Sequence, residues 1–139
     1  MVNLHVSYEG ELRCSATHGP SGKQITTDAP VDNHGRGETF SPTDLVGAAL
    51  GSCLLTVMGI AARARQIELC GTKVSVVKEM TQQRPRRIAR LTTSVTFPAS
   101  VSQAVPEPVR RELENIALHC PVRLSLSDAI EVPMTFDWE

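Results

Sequence analysis

Ser41-Pro42-Thr43-Asp44-Leu45-Val46-Gly47-Ala48-Ala49-Leu50-Gly51-Ser52-Cys53-Leu54-Leu55-Thr56-Val57-Met58-Gly59-Ile60-Ala61-Ala62 is the stretch that decides the fold. Ser41 is a good N-cap, Pro42 suits the first helical position, and Asp44 stands where the acid of a capping box sits. No residue from Leu45 to Ala62 is charged, a run of 18 positions. Arg63 and Arg65 then follow at the end where the helix dipole favours cations. A run of this length is at the lower limit for a membrane span. The small and polar residues Gly47, Gly51, Ser52, Thr56 and Gly59, with amphipathic strand patterns on both sides, predict instead the buried central helix of a soluble domain. At the standard rise it spans ~27 Å, and its glycines let other backbone come close.

Working outward to the N-terminus, residues 3–9 alternate with Leu4, Val6 and Tyr8 on one side, and Glu9-Gly10 reads as a tight turn. Residues 11–17 alternate again, with Leu12, Cys14 and Ala16 expected inward. His18-Gly19-Pro20-Ser21-Gly22 turns the chain into a third strand over 23–28. Residues 29–40, with Pro30, Asn33, Gly35 and Gly37, read as loop. Beyond the helix, 72–82 is strand-like, Gln83-Arg84-Pro85 turns, and 86–97 alternates with Ala89, Leu91, Thr93, Val95 and Phe97 on one face. Val109, Leu113, Ile116, Ala117 and Cys120 follow helical spacing, with Glu107 and Arg111 able to pair. Ile130 to Trp138 alternates as a last strand, placed at an edge by Pro133. The order β-β-β-α-β-β-α-β predicts one α+β domain over residues 1–139, without repeat or linker.

Fourteen basic and fifteen acidic residues give a net charge of −1. That balance supplies no field for a phosphate backbone, and five aromatic residues in all (three Phe, one Tyr, one Trp) leave little to stack on bases. Nucleic acid is therefore not an expected partner, and Arg84, Arg86, Arg87 and Arg90 read as a solvated hairpin turn. The N-terminal residues lack a basic segment followed by an apolar one, so a cytoplasmic protein without a membrane anchor is expected. His5, His18 and His34 have no ligand spacing.

Four cysteines, Cys14, Cys53, Cys70 and Cys120, form no C-x-x-C or C-x-x-H pair, which argues against a metal site. A reducing compartment also argues against structural disulfides. Cys14 shares the inward face of a predicted strand and reads as a small hydrophobe. Cys70, before Gly71, has no functional case. Cys53 lies mid-helix on the stripe Leu45, Ala49, Cys53, Thr56, Ile60, where spacing alone reads as core. Cys120 stands in His119-Cys120-Pro121-Val122-Arg123. Pro121 opens a new helical turn there, so Cys120 is the predicted N-cap, a place that lowers a thiol pKa.

Ser41-Pro42-Thr43-Asp44-Leu45 with Ala48-Ala49-Leu50-Gly51-Ser52-Cys53, followed 67 residues after Cys53 by Cys120-Pro121-Val122, closely resembles the OsmC/Ohr family of peroxide-handling thiol proteins. The resemblance covers essentially the whole chain. It implies an intertwined homodimer with two long helices buried at its centre, and a thiol peroxidase mechanism that needs no cofactor or metal. Cys53 would attack an organic hydroperoxide and become a sulfenic acid, Cys120 would condense with it to a disulfide, and an external dithiol would reset the pair. In the peroxidase branches of that family, a glutamate after the motif proline orients an arginine, from the turn after the second strand, over the thiolate. Thr43 and Pro20 hold those two places here. Asp44, Arg13, Arg36 and Arg123 remain, with Thr43, as candidates to line the pocket or tune the thiolate. The alternative is a dimeric small-molecule-binding or thiol-handling protein on the same scaffold, holding an apolar ligand without peroxide turnover.

Overall fold

Three antiparallel strands open the chain: β1 (Leu4–Gly10), β2 (Arg13–His18) and β3 (Gln24–Asp28), in the order β1-β2-β3. The computed structural model describes residues 1–139 and divides into two compact units, Met1–Val46 and Gly47–Glu139. In the first unit, Glu11 and Leu12 both adopt positive φ (51° and 63°) between β1 and β2, the two-residue turn that matches the twist of a hairpin. Leu12, expected on the inward face of a strand, is thus a turn residue and is exposed. Leu4, Val6, Tyr8 and Ile25 also stay exposed, at 67, 67, 66 and 51%. The alternation foresaw their common side but not that the chain itself leaves it uncovered.

Residues 29–40 are irregular apart from a 3-10 turn at Val31–Asn33. Gly35 is required there: a Cβ would sit 1.7 Å from the Ala29 carbonyl oxygen. The chain then enters α1 (Pro42–Arg63), capped as its sequence predicts. Ser41 Oγ accepts from Asp44 N–H at 3.1 Å, and Asp44 Oδ2 accepts from Ser41 N–H at 2.9 Å. At the far end, Arg65 Nη1 donates to the Ala61 carbonyl and its guanidinium pairs with Glu112.

The second unit sets α1 against the sheet β4 (Lys73–Met80), β5 (Ile88–Phe97) and β6 (Met134–Trp138), in that order. β4 runs antiparallel to β5, whereas β6 returns parallel to it at the edge. Gly47 and Gly51 face β4: a Cβ on Gly51 would meet Val74 Cγ1 at 3.3 Å and Val76 Cγ2 at 3.4 Å. Leu50, Leu54, Met58 and Ala62 complete this buried stripe. The stripe expected from spacing, Leu45, Ala49, Cys53, Thr56 and Ile60, is the less covered side of the helix, with Ile60 66% exposed. Hydrophobic spacing reports an apolar face but cannot rank two of them on a helix that is apolar all round.

Three helices connect β5 to β6: α2 (Ala99–Ala104), α3 (Glu107–Leu118) and α4 (Pro121–Ser125). The sequence does not announce α2, whose six residues are too few to display a period. It buries Val101, while α3 buries Leu113 and Ala117. A register shift at Glu79/Met80 turns Ile88 inward in place of Ala89. The core is aliphatic, with Phe97 its one fully buried aromatic. Trp138 stacks on that ring at 3.5 Å and donates Nε1–H to Glu114 at 2.7 Å, which fixes β6 against α3. By length and composition α1 could cross a membrane. Its packing against an open-edged sheet is that of a core helix, because unpaired strand edges are not tolerated in hydrocarbon.

Gly47 and Gly51 should respond differently to added volume. Gly47→Ala places its methyl at ordinary contact distance from Val76 and Leu91. It should raise stability by up to about 1 kcal/mol through helix propensity. Gly51→Val drives a branched side chain into Val74 and Val76 and should cost about 1–3 kcal/mol. Thermal denaturation of both variants checks this, and equal melting temperatures would contradict the close approach of β4.

Candidate active site

Cys53 lies in the middle of α1, half-buried, between the stripe that faces β4 and the uncovered side. Cys120 is fully buried at the junction of α3 and α4. Its position follows from local sequence: Pro121 cannot continue α3 but suits the first residue of α4, so the chain breaks at Cys120 in an extended conformation (φ −65°, ψ 148°). Cys120 is therefore the N-cap of α4, and its Sγ accepts from the Arg123 backbone N–H at 3.5 Å.

The two thiols meet. Cys53 is near enough to Cys120 for charge on its sulfur to be felt there. Both are free, with no disulfide between them. Burial pushes the Cys120 thiol above its ordinary pKa; the N–H groups of Arg123 and Val122 oppose this, and Cys53 adds to it. The N-cap expected from the sequence is there, but the lowered pKa expected with it is not. Complete removal of water from a sulfur outweighs two N–H contacts at sulfur distance.

Cys14 pairs in register with Tyr8 on β1 and Thr27 on β3, and Cys70 is exposed after α1. His119 is turned to the Asn115 carbonyl through Nδ1 at 2.7 Å, back along α3. Glu107 and Arg111 pair at 3.3 Å as expected. Arg84, Arg86, Arg87 and Arg90 are exposed, as expected; Arg90, on β5, pairs with Glu131, and Arg87 donates to the Ile88 and Ala129 carbonyls.

Four of the five candidate helper residues are committed to local structure. Thr43 Oγ1 contacts Ser41 Oγ at 3.2 Å, and Asp44 closes the capping box. Arg36 pairs with Glu11. Arg13 makes two bonds to Asp28, at 2.7 and 2.9 Å, and one to Glu38 at 2.8 Å. Arg123 alone, on α4, has a buried Nε with no hydrogen-bond partner. Sequence reasoning missed Asp28, whose side chain is only 2% exposed. An acid at the end of a strand reads as a solvated turn residue. Only the convergence of Arg13, from the neighbouring strand, and the Glu38 N–H reveals it as a buried anchor for the loop.

The family model described as OsmC-like protein matches residues 35–135 of the chain. Among solved structures, a Psychrobacter arcticus 273-4 protein described as belonging to the osmotic stress and detoxification response is 41% identical, with 98% of this chain and 96% of that one covered at a TM-score of 0.89. The organic hydroperoxide resistance protein OsmC from Legionella pneumophila is 12% identical, with 99 and 96% covered at a TM-score of 0.75. OhrB of Bacillus subtilis, an organic hydroperoxide resistance protein, is 15% identical, with 99 and 98% covered at 0.69. The last two share the fold. None of the curated protein sequences matches.

The Arg13–Asp28 pair sets a pH dependence of stability. The Arg13 guanidinium holds the Asp28 carboxyl below its ordinary pKa, against an opposing effect of burial. A carboxyl depressed on folding stabilises the native state above its unfolded pKa, and that contribution fades as pH falls through the folded value. Asp28→Asn should therefore lower the melting temperature at about pH 7, and the gap from wild type should narrow as pH falls below about 4. Melting curves across that range check the sign; a gap that widens in acid would contradict it.

Proposed function

The chain belongs to the OsmC-like protein family, and on that premise we propose that it is a peroxide-handling stress protein that reduces organic hydroperoxides through Cys53 and Cys120. The observation that carries this is the nearness of two free thiols, Cys53 half-buried and Cys120 fully buried. In this cycle the Cys53 thiolate attacks the distal oxygen of R–O–O–H. The S–O bond forms as the O–O bond breaks, leaving Cys53–SOH and an alkoxide that takes a proton to become the alcohol. Cys120–SH then condenses with the sulfenic acid, releasing water and forming the disulfide. An external dithiol, present in a reducing cytoplasm, attacks the disulfide and returns both thiols.

The difference in burial supports the assignment of roles. Cys53 is the more accessible sulfur, and attack on a hydroperoxide requires access. Cys120 need act only after a sulfenic acid has formed beside it, so a thiol kept protonated by burial suits the second step. A homodimer belongs to the same proposal. Leu4, Val6, Tyr8 and Ile25 on the first sheet, and Ile60 on α1, are large apolar side chains left exposed by the chain, and a partner subunit would cover them.

The test is intact mass and peroxide consumption after adding cumene hydroperoxide to the reduced protein. Wild type should lose two hydrogens and give a linked Cys53–Cys120 peptide. Cys53→Ser should abolish consumption. Cys120→Ser should stall at a sulfenic acid trappable by a dione reagent. A wild type that stays reduced, with Cys53→Ser indistinguishable from it, would leave ligand binding without turnover as the function. Light scattering of the eluting protein should give twice the chain mass, and a monomer would remove the dimer from the proposal.

A further inference from the structure

On the premise of the proposed peroxide chemistry, we infer that Arg123 is the cationic positioning residue of the thiol pair, supplying a hydrogen-bond donor to the oxygen that gains charge when the O–O bond breaks. Three observations converge on it. Its backbone N–H holds the Cys120 sulfur, so it lies in the same helical turn as one of the two thiols. Its Nε is buried and has no acceptor. Finally, it is the one arginine among the candidates without an ion pair, since Arg13 and Arg36 are tied to Asp28, Glu38 and Glu11.

A buried donor on a charged group that lacks an acceptor costs free energy. Such a group is retained where an acceptor arrives during function. In the resting protein this Nε meets no acceptor, and the Cys120 sulfur already accepts from backbone. The reaction creates one. When Cys53 attacks R–O–O–H, the departing alkoxide carries a full negative charge that must be met. A guanidinium donor set in advance stabilises that charge without reorganisation. It would act on the leaving oxygen and take no part in disulfide formation by a route without an alkoxide.

That distinction defines the experiment. Full-length wild type, Arg123→Met and Arg123→Lys are reduced and then oxidised either with cumene hydroperoxide or with diamide. Diamide makes the same disulfide without O–O cleavage. The Cys53–Cys120 bond is followed by intact mass over time. Arg123→Met should slow the hydroperoxide reaction by about 10²-fold and leave the diamide reaction unchanged, with Arg123→Lys in between. Equal hydroperoxide rates in all three chains would overturn the inference, as would an equal loss with both oxidants, which marks a purely structural role in α4. A wild type that diamide oxidises and hydroperoxide does not would instead remove the peroxide chemistry itself, so the two failures are told apart.

Discussion

The contact between the glycine face of α1 and β4 is the constraint on which the second unit depends. Gly47 and Gly51 let Val74 and Val76 lie against the helix at van der Waals distance, so the sheet packs on α1 with little room for bulky side chains. That explains a core built from Leu, Val and Met with Phe97 as its one fully buried aromatic. It also fixes the rotation of the helix. With Gly47, Leu50, Gly51, Leu54, Met58 and Ala62 turned inward, Cys53 falls about a third of a turn from the centre of that stripe. There it remains half-buried and able to meet Cys120, which α3 and α4 bring from elsewhere in the chain.

A proline sets the other half of the pair. Pro121 both ends α3 and starts α4, and the residue before it is forced into the extended conformation of an N-cap. Cys120 thus has no freedom to follow α3, and its sulfur is drawn to the first N–H groups of a five-residue helix. Such an arrangement would activate an exposed thiol. Here burial reverses the sign, and the sulfur is kept in its protonated form. Two neighbouring cysteines therefore differ in accessibility, a difference that suits the sequential thiol reactions proposed for them.

Much of this was legible in the sequence because the signals are local. The Ser41–Asp44 capping box, the Arg65 contact at the far end of α1, the meander, the Glu107–Arg111 pair and the Cys120 N-cap each rest on residues within a few positions of one another. The readings that differed depended on contacts between distant residues. An all-apolar helix does not declare which face meets the sheet, so the stripe through Cys53 looked like core. A short helix such as α2 shows no period, and the inward turn of Ile88 arises from a register shift with β4. Asp28, the last residue of the third predicted strand, is buried because Arg13 meets it across the hairpin. The pKa of Cys120 required knowing how much water reaches the sulfur.

The Arg13–Asp28–Glu38 cluster bears on the chemistry by what it withholds. A guanidinium satisfied by two carboxylates, one of them almost entirely buried, is held as a structural tie between β2, β3 and the following loop. Drawing it away to serve a thiolate would strand the Asp28 charge in the interior, a cost that grows with burial. Thr43 and Asp44 are held by the cap of α1 in the same sense, since using Asp44 elsewhere would release the Ser41 N–H from its acceptor. Under the proposed chemistry, charge stabilisation at Cys53 would have to come from a group whose own partners do not lose by it. The turn that carries Cys120 meets that condition, because Arg123 brings a positive charge with an unused donor to the helix that already holds one of the two sulfurs.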